Sequence, residues 1–294
     1  MKSVREIKRR MRAVSNTAKI TSAMQLVASS KMKKAQRNAV SGRQYILALS
    51  EIVDCLSTVG SALIKHPFFE NRAVKCRGVL VIGSEKGLCG ALNQGLMKKI
   101  MADYSLGNEK FVTIGKKASQ FMSKLHRDLL ADFSISDRVE LCELRPVIEF
   151  LKNTYLEGGV DSVEIVYSRS VNPLVHEQVS SKILPMLNFA DEISSLKRRL
   201  RIADGEAIAD SREMIFEPSV QAIVNKLSHM FLAQSIFRDV LEAKAAEHSA
   251  RMFAMKNATD NANSLSKSLA MEYNKARQAK ITNEIIEIAA AANG

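Results

Sequence analysis

The sequence predicts an α/β protein in which N- and C-terminal helices pair as a long antiparallel coiled coil beside an open α/β middle domain. Three observations predict it. Residues 1–59 hold one glycine (Gly42) and no proline, residues 219–293 hold neither, and residues 60–218 hold all five prolines and eleven of the thirteen glycines. Apolar residues recur at coiled-coil spacing at both ends of the chain. Short β-branched runs alternate with helical patterns between them. Gly and Pro cost about 1 and 3 kcal/mol inside a helix, so the two ends permit long unbroken helices and the middle has the turns. The chain therefore divides into a helical arm (1–60), an α/β domain (61–208) and a second helical arm (209–294).

Alternate steps of 3 and 4 residues along the first arm meet Val4, Ile7, Met11, Val14, Ala18, Thr21, Gln25, Ala28, Met32, Ala35, Ala39, Gly42, Ile46, Leu49, Val53 and Leu56. All but Thr21, Gln25 and Gly42 are apolar, as a coiled-coil seam requires. Its many alanines let a partner helix approach closely. The second arm opens with Val220, Ile223, Leu227, Met230, Phe237 and Leu241 on the same spacing, with Gln234 as one polar step. As a helix, the stretch after Pro218 would span about 110 Å, which makes the expected shape a rod with a knob.

In the middle, Gly78–Ile82 reads as a buried strand leading into the loop Gly83-Ser-Glu-Lys-Gly-Leu-Cys-Gly90. A helix follows from Ala91 to about Asp103. Phe111–Ile114 and Ser162–Tyr167 read as further strands, and Lys116–His126 and Leu144–Glu157 as helices. Strands alternating with helices make this domain Rossmann-like. Its glycine loop is nevertheless GxxxGxxG rather than GxGxxG, and no Gly-Lys-Ser/Thr closes it, so tight turns and close helix packing explain its glycines better than a nucleotide does.

Composition narrows the function. The chain is 46% hydrophobic and 25% charged, as a folded globular protein is. No apolar run reaches the roughly 20 residues that span a bilayer, and no secretory signal opens the sequence. The four cysteines (Cys55, Cys76, Cys89, Cys142) form no CxxC pair and suit a reducing compartment. The five histidines are scattered, and no carboxylate pair or nucleophile elbow is present, so no catalytic residue, metal site or cofactor is expected. Residues 1–43 carry twelve Lys/Arg against one acid, nearly the whole net charge of +12. Such an arm implies an acidic partner, either protein or nucleic acid. The first aromatic residue is Tyr45 and no nucleic-acid-binding signature accompanies the charge, which favours protein.

Two segments carry more apolar surface than the seam uses. Ile20, Met24, Leu26 and Val27 lie off the first arm's register, and the last helix ends with Ile281, Ile285, Ile286 and Ile288. A helix apolar on several sides must be covered on several sides.

The segment Ile20-Thr-Ser-Ala-Met-Gln-Leu-Val-Ala-Ser-Ser-Lys-Met-Lys-Lys-Ala-Gln36, the glycine loop 83–90, and the C-terminal runs Ala250–Ala262 and Glu272–Ile288 resemble the gamma subunit of F-type ATP synthases. The resemblance implies a non-catalytic central-stalk rotor coupling ion flow through the membrane sector to ATP synthesis and hydrolysis. One copy per complex would turn inside a hexamer of alpha and beta subunits and stand on the epsilon subunit and the c-ring. It implies that Arg277, Gln278, Thr282 and Glu284 catch a beta-subunit loop and that Met24 and Arg251 lie near an acidic beta loop. Ile20, Val27, Ile281, Ile285, Ile286 and Ile288 form the apolar bearing, and Phe216 and Glu217 the foot toward the c-ring and epsilon. Ser22 replaces a usual lysine and Gln25 a usual glutamate. The cysteine-bearing regulatory insertion of the chloroplast version is not apparent. A start directly at the first helix favours a bacterial protein, peripheral on the cytoplasmic side of the inner membrane.

Overall fold

The structure is a computed structural model and describes residues 4–41, 45, 47–49, 52–53, 66–105, 107–172, 174–186, 194 and 217–292. The elements run α1 (Val4–Ser41), a 3-10 turn (Pro67–Phe69), β1 (Arg77–Ile82), α2 (Leu92–Asp103), β2 (Glu109–Ile114), α3 (Lys116–Lys124), β3 (Leu129–Phe133), α4 (Leu141–Leu156), β4 (Ser162–Ser170), β5 (His176–Leu184) and α5 (Val220–Ala292). The chain falls into two units, residues 1–30 with 251–294, and residues 31–250.

The first unit is the expected pair of terminal helices. On α1 the seam positions Ile7, Thr21 and Ala28 are buried and Val4, Met11, Val14, Ala18 and Gln25 half-buried. On α5 the buried residues Met255, Ala262 and Leu269 recur every seven residues, the repeat that keeps a seam against its partner. Thr21 and Thr259 place their hydroxyl oxygens 2.7 Å apart across the pair. Each also lies within hydrogen-bond reach of carbonyls of its own helix, so neither depends on the other alone.

The second unit is a five-stranded sheet in the order β3-β2-β1-β4-β5. β1 runs parallel to β2 and β4, β2 runs parallel to β3, and β5 is antiparallel to β4. The three strands read from the sequence are its centre. The two outer strands were not legible: β3 alternates half-buried and exposed residues, and only the last two residues of β5 are fully buried. Edge strands need bury only part of one face, so their hydrophobic signal is weak.

Alternation along the strands sends side chains to two cores. Val79, Val81, Phe111 and Val166 pack with Leu96, Met97, Ile100, Ala118 and Met122 of α2 and α3. Leu80, Val112, Ile165 and Tyr167 pack with α4 and with Val224, Phe231, Leu232, Ile236 and Val240 of α5. Here α5 departs from the seam expectation. Of the seam positions Leu227 and Leu241 are buried, but Val220, Ile223, Met230 and Phe237 are only half-buried, and the fully buried Val224, Phe231, Leu232, Ile236 and Val240 lie off the seam. A sheet face, rather than a single helix, covers this stretch, so burial spreads around the helix instead of following a narrow stripe. Of the first-arm seam, Met32, Ala35, Leu49 and Val53 are buried in this unit, while Gly42, Ile46 and Leu56 lie outside the described residues.

The glycine loop has a packing role. A Cβ on Gly83 would come within 2.8 Å of the Ala118 Cβ of α3, and one on Gly115 within 2.6 Å of the Gly83 carbonyl oxygen. Gly115 also has φ of +93°, where a side chain is strained. The strand ends and α3 approach this closely because neither position carries a side chain.

Candidate functional site

The apolar side chains singled out for the bearing are all left in water on the first unit. Ile20 and Val27 on α1 are 61% and 55% exposed, and Ile285, Ile286 and Ile288 on α5 are 61%, 59% and 70% exposed, with Ile281 at 43%. Leu26 and Met271 are exposed beside them. At 100° per residue the four isoleucines spread over about 160° of the helix wheel, too wide for one stripe against one helix. Exposed apolar surface of this kind marks an interaction surface.

The polar candidates share that end of α5. Arg277, Gln278, Thr282 and Glu284 are all exposed. Thr282 donates its hydroxyl hydrogen to the Gln278 carbonyl at 3.0 Å, and Glu284 pairs with Lys280 at 3.3 Å. An exposed i,i+4 pair holds its partners only weakly, so the Glu284 carboxylate is free to exchange partners. Met24 and Arg251 are both half-buried. Glu217 is exposed, and Phe216 lies outside the described residues.

The glycine loop turns Ser84 and Cys89 inward. Asn93 donates to Ser84 Oγ at 2.8 Å and to Cys89 Sγ at 3.2 Å, and the Ser84 hydroxyl reaches Asn93 Oδ1 at 3.1 Å. Ser84 and Cys89 are both buried. Leu88, by contrast, is 60% exposed at φ +63°, the left-handed region that an apolar side chain rarely adopts.

Sequence reasoning missed a buried polar network on α5 within the second unit. The Tyr167 hydroxyl on β4 donates to Glu242 Oε2 at 2.9 Å and approaches Asp239 Oδ1 at 3.4 Å. Arg238 and Asp239 pair at 2.9 Å, and Lys244 and Glu247 at 3.2 Å, all four buried. Burial opposes the Arg238 charge, yet the neighbouring Asp239 carboxylate more than offsets this and lifts the guanidinium above its usual range. His248 Nε2 lies 3.9 Å from Asp137, which also takes a salt bridge from Lys31 at 2.5 Å. Burial alone would raise the Asp137 carboxyl; the Lys31 hydrogen bond and charge, with the charges of His248 and Lys244, outweigh it and hold it below the usual carboxylate range. A cleft of about 120 Å³ opens there, lined by Lys31, Lys34, Arg138 and Lys244 among others. Three of these cations already have carboxylate partners: Asp137, Glu140 and Glu247. The signal for the network was present in the sequence as charges interrupting the largely apolar stretch from Ile236 to Ala246.

Among the described residues no helix is long and apolar enough to cross a membrane. The sequence profile of the family described as ATP synthase matches residues 3–294. The ATP synthase gamma chain of Opitutus terrae is 43% identical over 293 residues, covering 99% of this chain and 98% of that one. That of Methylacidiphilum infernorum is 40% identical over 296 residues, with the same coverage. A chain of the Euglena gracilis mitochondrial ATP synthase (OSCP/F1/c-ring, rotational state 3) superposes with a TM-score of 0.67 at 16% identity, over 99% of this chain and 93% of that one. One from the Tetrahymena thermophila central stalk and c-ring gives 0.59 at 22%, over 81% and 99%. These two speak for the fold alone; with the end-to-end sequence matches and the paired terminal helices, they make this chain a member of the ATP synthase gamma-chain family.

Proposed function

We propose that this chain is the non-catalytic rotor of a rotary ATP synthase. Its paired helices turn inside a hexamer of alpha and beta subunits, and its lower end stands on the epsilon subunit and the c-ring. Rotation driven by protons or sodium ions carries the beta subunits through their binding states, and ATP hydrolysis drives it in reverse. The working division is the one read from the sequence: arms 1–60 and 209–294 as shaft, and 61–208 as the domain beside it. The complex sits peripherally at a bacterial inner membrane, on the cytoplasmic side, with one copy of this chain in each.

The observation that carries the reading is the broad exposed apolar face of Ile281, Ile285, Ile286 and Ile288 near the end of α5. Apolar contact has no preferred angle, unlike a hydrogen bond, so a socket lined with it holds such an end while letting it turn. Ile20 and Val27 extend this bearing onto α1. In the same reading Arg277, Gln278, Thr282 and Glu284 catch a beta-subunit loop, and Met24 and Arg251 sit near an acidic one. Glu217, with Phe216, belongs to the foot. The basic first arm supplies long-range attraction without fixed geometry.

Reconstitution tests this directly. The chain mixed with alpha and beta subunits should give a complex containing one copy of it and hydrolysing ATP. Alpha and beta subunits that assemble and hydrolyse ATP equally well without binding the chain would refute the reading.

A further inference from the structure

We infer that Tyr167, Asp239 and Glu242 are positioning residues that fix the rotational register of α5 on the sheet of the second unit. The inference rests on the rotor reading, because register matters only if the helix is asked to carry torque.

From Ile236 to Ala250 the helix is buried almost all round, with only Phe237, Glu242 and Ala245 half-buried. Apolar packing holds such a helix by shape and without directional bonds. Hydrogen-bonded charges differ, because each has one partner at one angle. They point in several directions here. Asp239 and Glu242 lie about 60° apart on the wheel and meet Tyr167; Lys244 and Glu247 lie about 60° apart on the far side. The latter two border a cavity of about 10 Å³ together with Ser84, Asn93 and Ser168. Lys244 and Glu247 pair within the helix and turn with it, so the bonds that resist turning are those to Tyr167 on the sheet. Advancing the helix by one residue would turn it about 100° and carry Asp239 and Glu242 away from the Tyr167 hydroxyl. Tyr167 is itself fully buried, so water cannot replace its hydroxyl's partners. The strand it belongs to is central, flanked by β1 and β5, and cannot swing to follow the helix.

The test uses the complete ATP synthase reconstituted in vesicles, carrying wild type, Tyr167→Phe, Glu242→Met, the double variant or Glu242→Gln. Thermal unfolding, ATP hydrolysis and ions pumped per ATP hydrolysed are measured on each. The single variants Tyr167→Phe and Glu242→Met lower the unfolding temperature, because each leaves a polar group without its partner. The double variant regains it, since removing both partners together is nearly neutral for stability. Its ratio of ions pumped to ATP hydrolysed nevertheless stays at least about twofold below wild type, the low end of what one lost pairwise interaction gives. Glu242→Gln keeps an acceptor for the phenol and keeps the wild-type ratio. A double variant whose pumping ratio recovers along with its unfolding temperature would reduce the cluster to a merely structural role and overturn the inference. So would a Glu242→Gln ratio as low as that of the double variant. Failure of the wild-type chain to join alpha and beta subunits would tell against the rotor reading instead.

Discussion

Helix α5 lives in two environments. Between Val224 and Ala250 it is covered by the sheet and α4, with Phe231, Leu232, Ile236 and Val240 fully buried and a charged network among them. Between Met255 and Ala292 it meets one helix along a narrow seam of Met255, Ala262 and Leu269, and its isoleucines face water. One continuous helix thus serves first as core and then as surface. Apolar residues in the first stretch lie in the core of this chain; in the second, Met255, Ala262 and Leu269 do, while the isoleucines stay in water. Polar residues follow the same division: they are buried and specifically paired in the first stretch, and exposed and loosely paired in the second.

The sharpest way to break this contrast is to truncate a side chain on the core stretch. Phe231→Ala removes a ring with no exposed surface and should cost about 3–5 kcal/mol, read as a large fall in the unfolding temperature of the second unit. A cost near zero would mean that the sheet does not rely on α5. Next comes the seam of the first unit. A double-mutant cycle with Thr21→Val and Thr259→Val should show a coupling of about 1 kcal/mol, because both hydroxyls keep carbonyls within reach in their own helices. Coupling several times larger would show that the polar step, rather than the apolar seam, specifies the pair.

Acid should sharpen the contrast. All five histidines belong to residues 31–250. His66, His176 and His229 are held below their usual pKa first by burial, with His66 and His229 also sharing mutual or lysine repulsion. A lowered pKa means that the unfolded chain takes up protons that the folded domain resists. Stability is therefore complete above about pH 6.5 and declines as pH falls below it. Hydrogen exchange at about pH 7.5 and 5.5 should show the second unit loosening while the first, which has no histidine, does not. Equal loosening of both units would assign the effect elsewhere. The smallest change is expected at Ile285→Ala, within about 0.5 kcal/mol for the chain alone, because the side chain already faces water. A larger cost in thermal unfolding would place Ile285 in a core instead.

Much of this was legible before the structure. The seam of α1 is an alternation of three and four, and the structure buries Ile7, Thr21 and Ala28 along it and half-buries Met11, Val14, Ala18 and Gln25 between them. The three central strands announce themselves because both of their faces are buried, which requires a continuous apolar run. Surplus apolar residues at Ile20, Val27 and the C-terminal isoleucines could be recognised by counting what one seam can use.

Local pattern alone determined the helices, the central strands, the seam and the presence of unused apolar surface, because each rests on periodicity within a few turns of chain. Tertiary structure decided which apolar residues of α5 lie in the core and which in water, where the edge strands β3 and β5 attach, and that Arg238, Asp239, Lys244 and Glu247 are buried. The pairs Arg238–Asp239 and Lys244–Glu247 are local, but the sheet that buries them and the Tyr167 hydroxyl that meets Glu242 come from far along the chain, and no short-range pattern records what lies that far away.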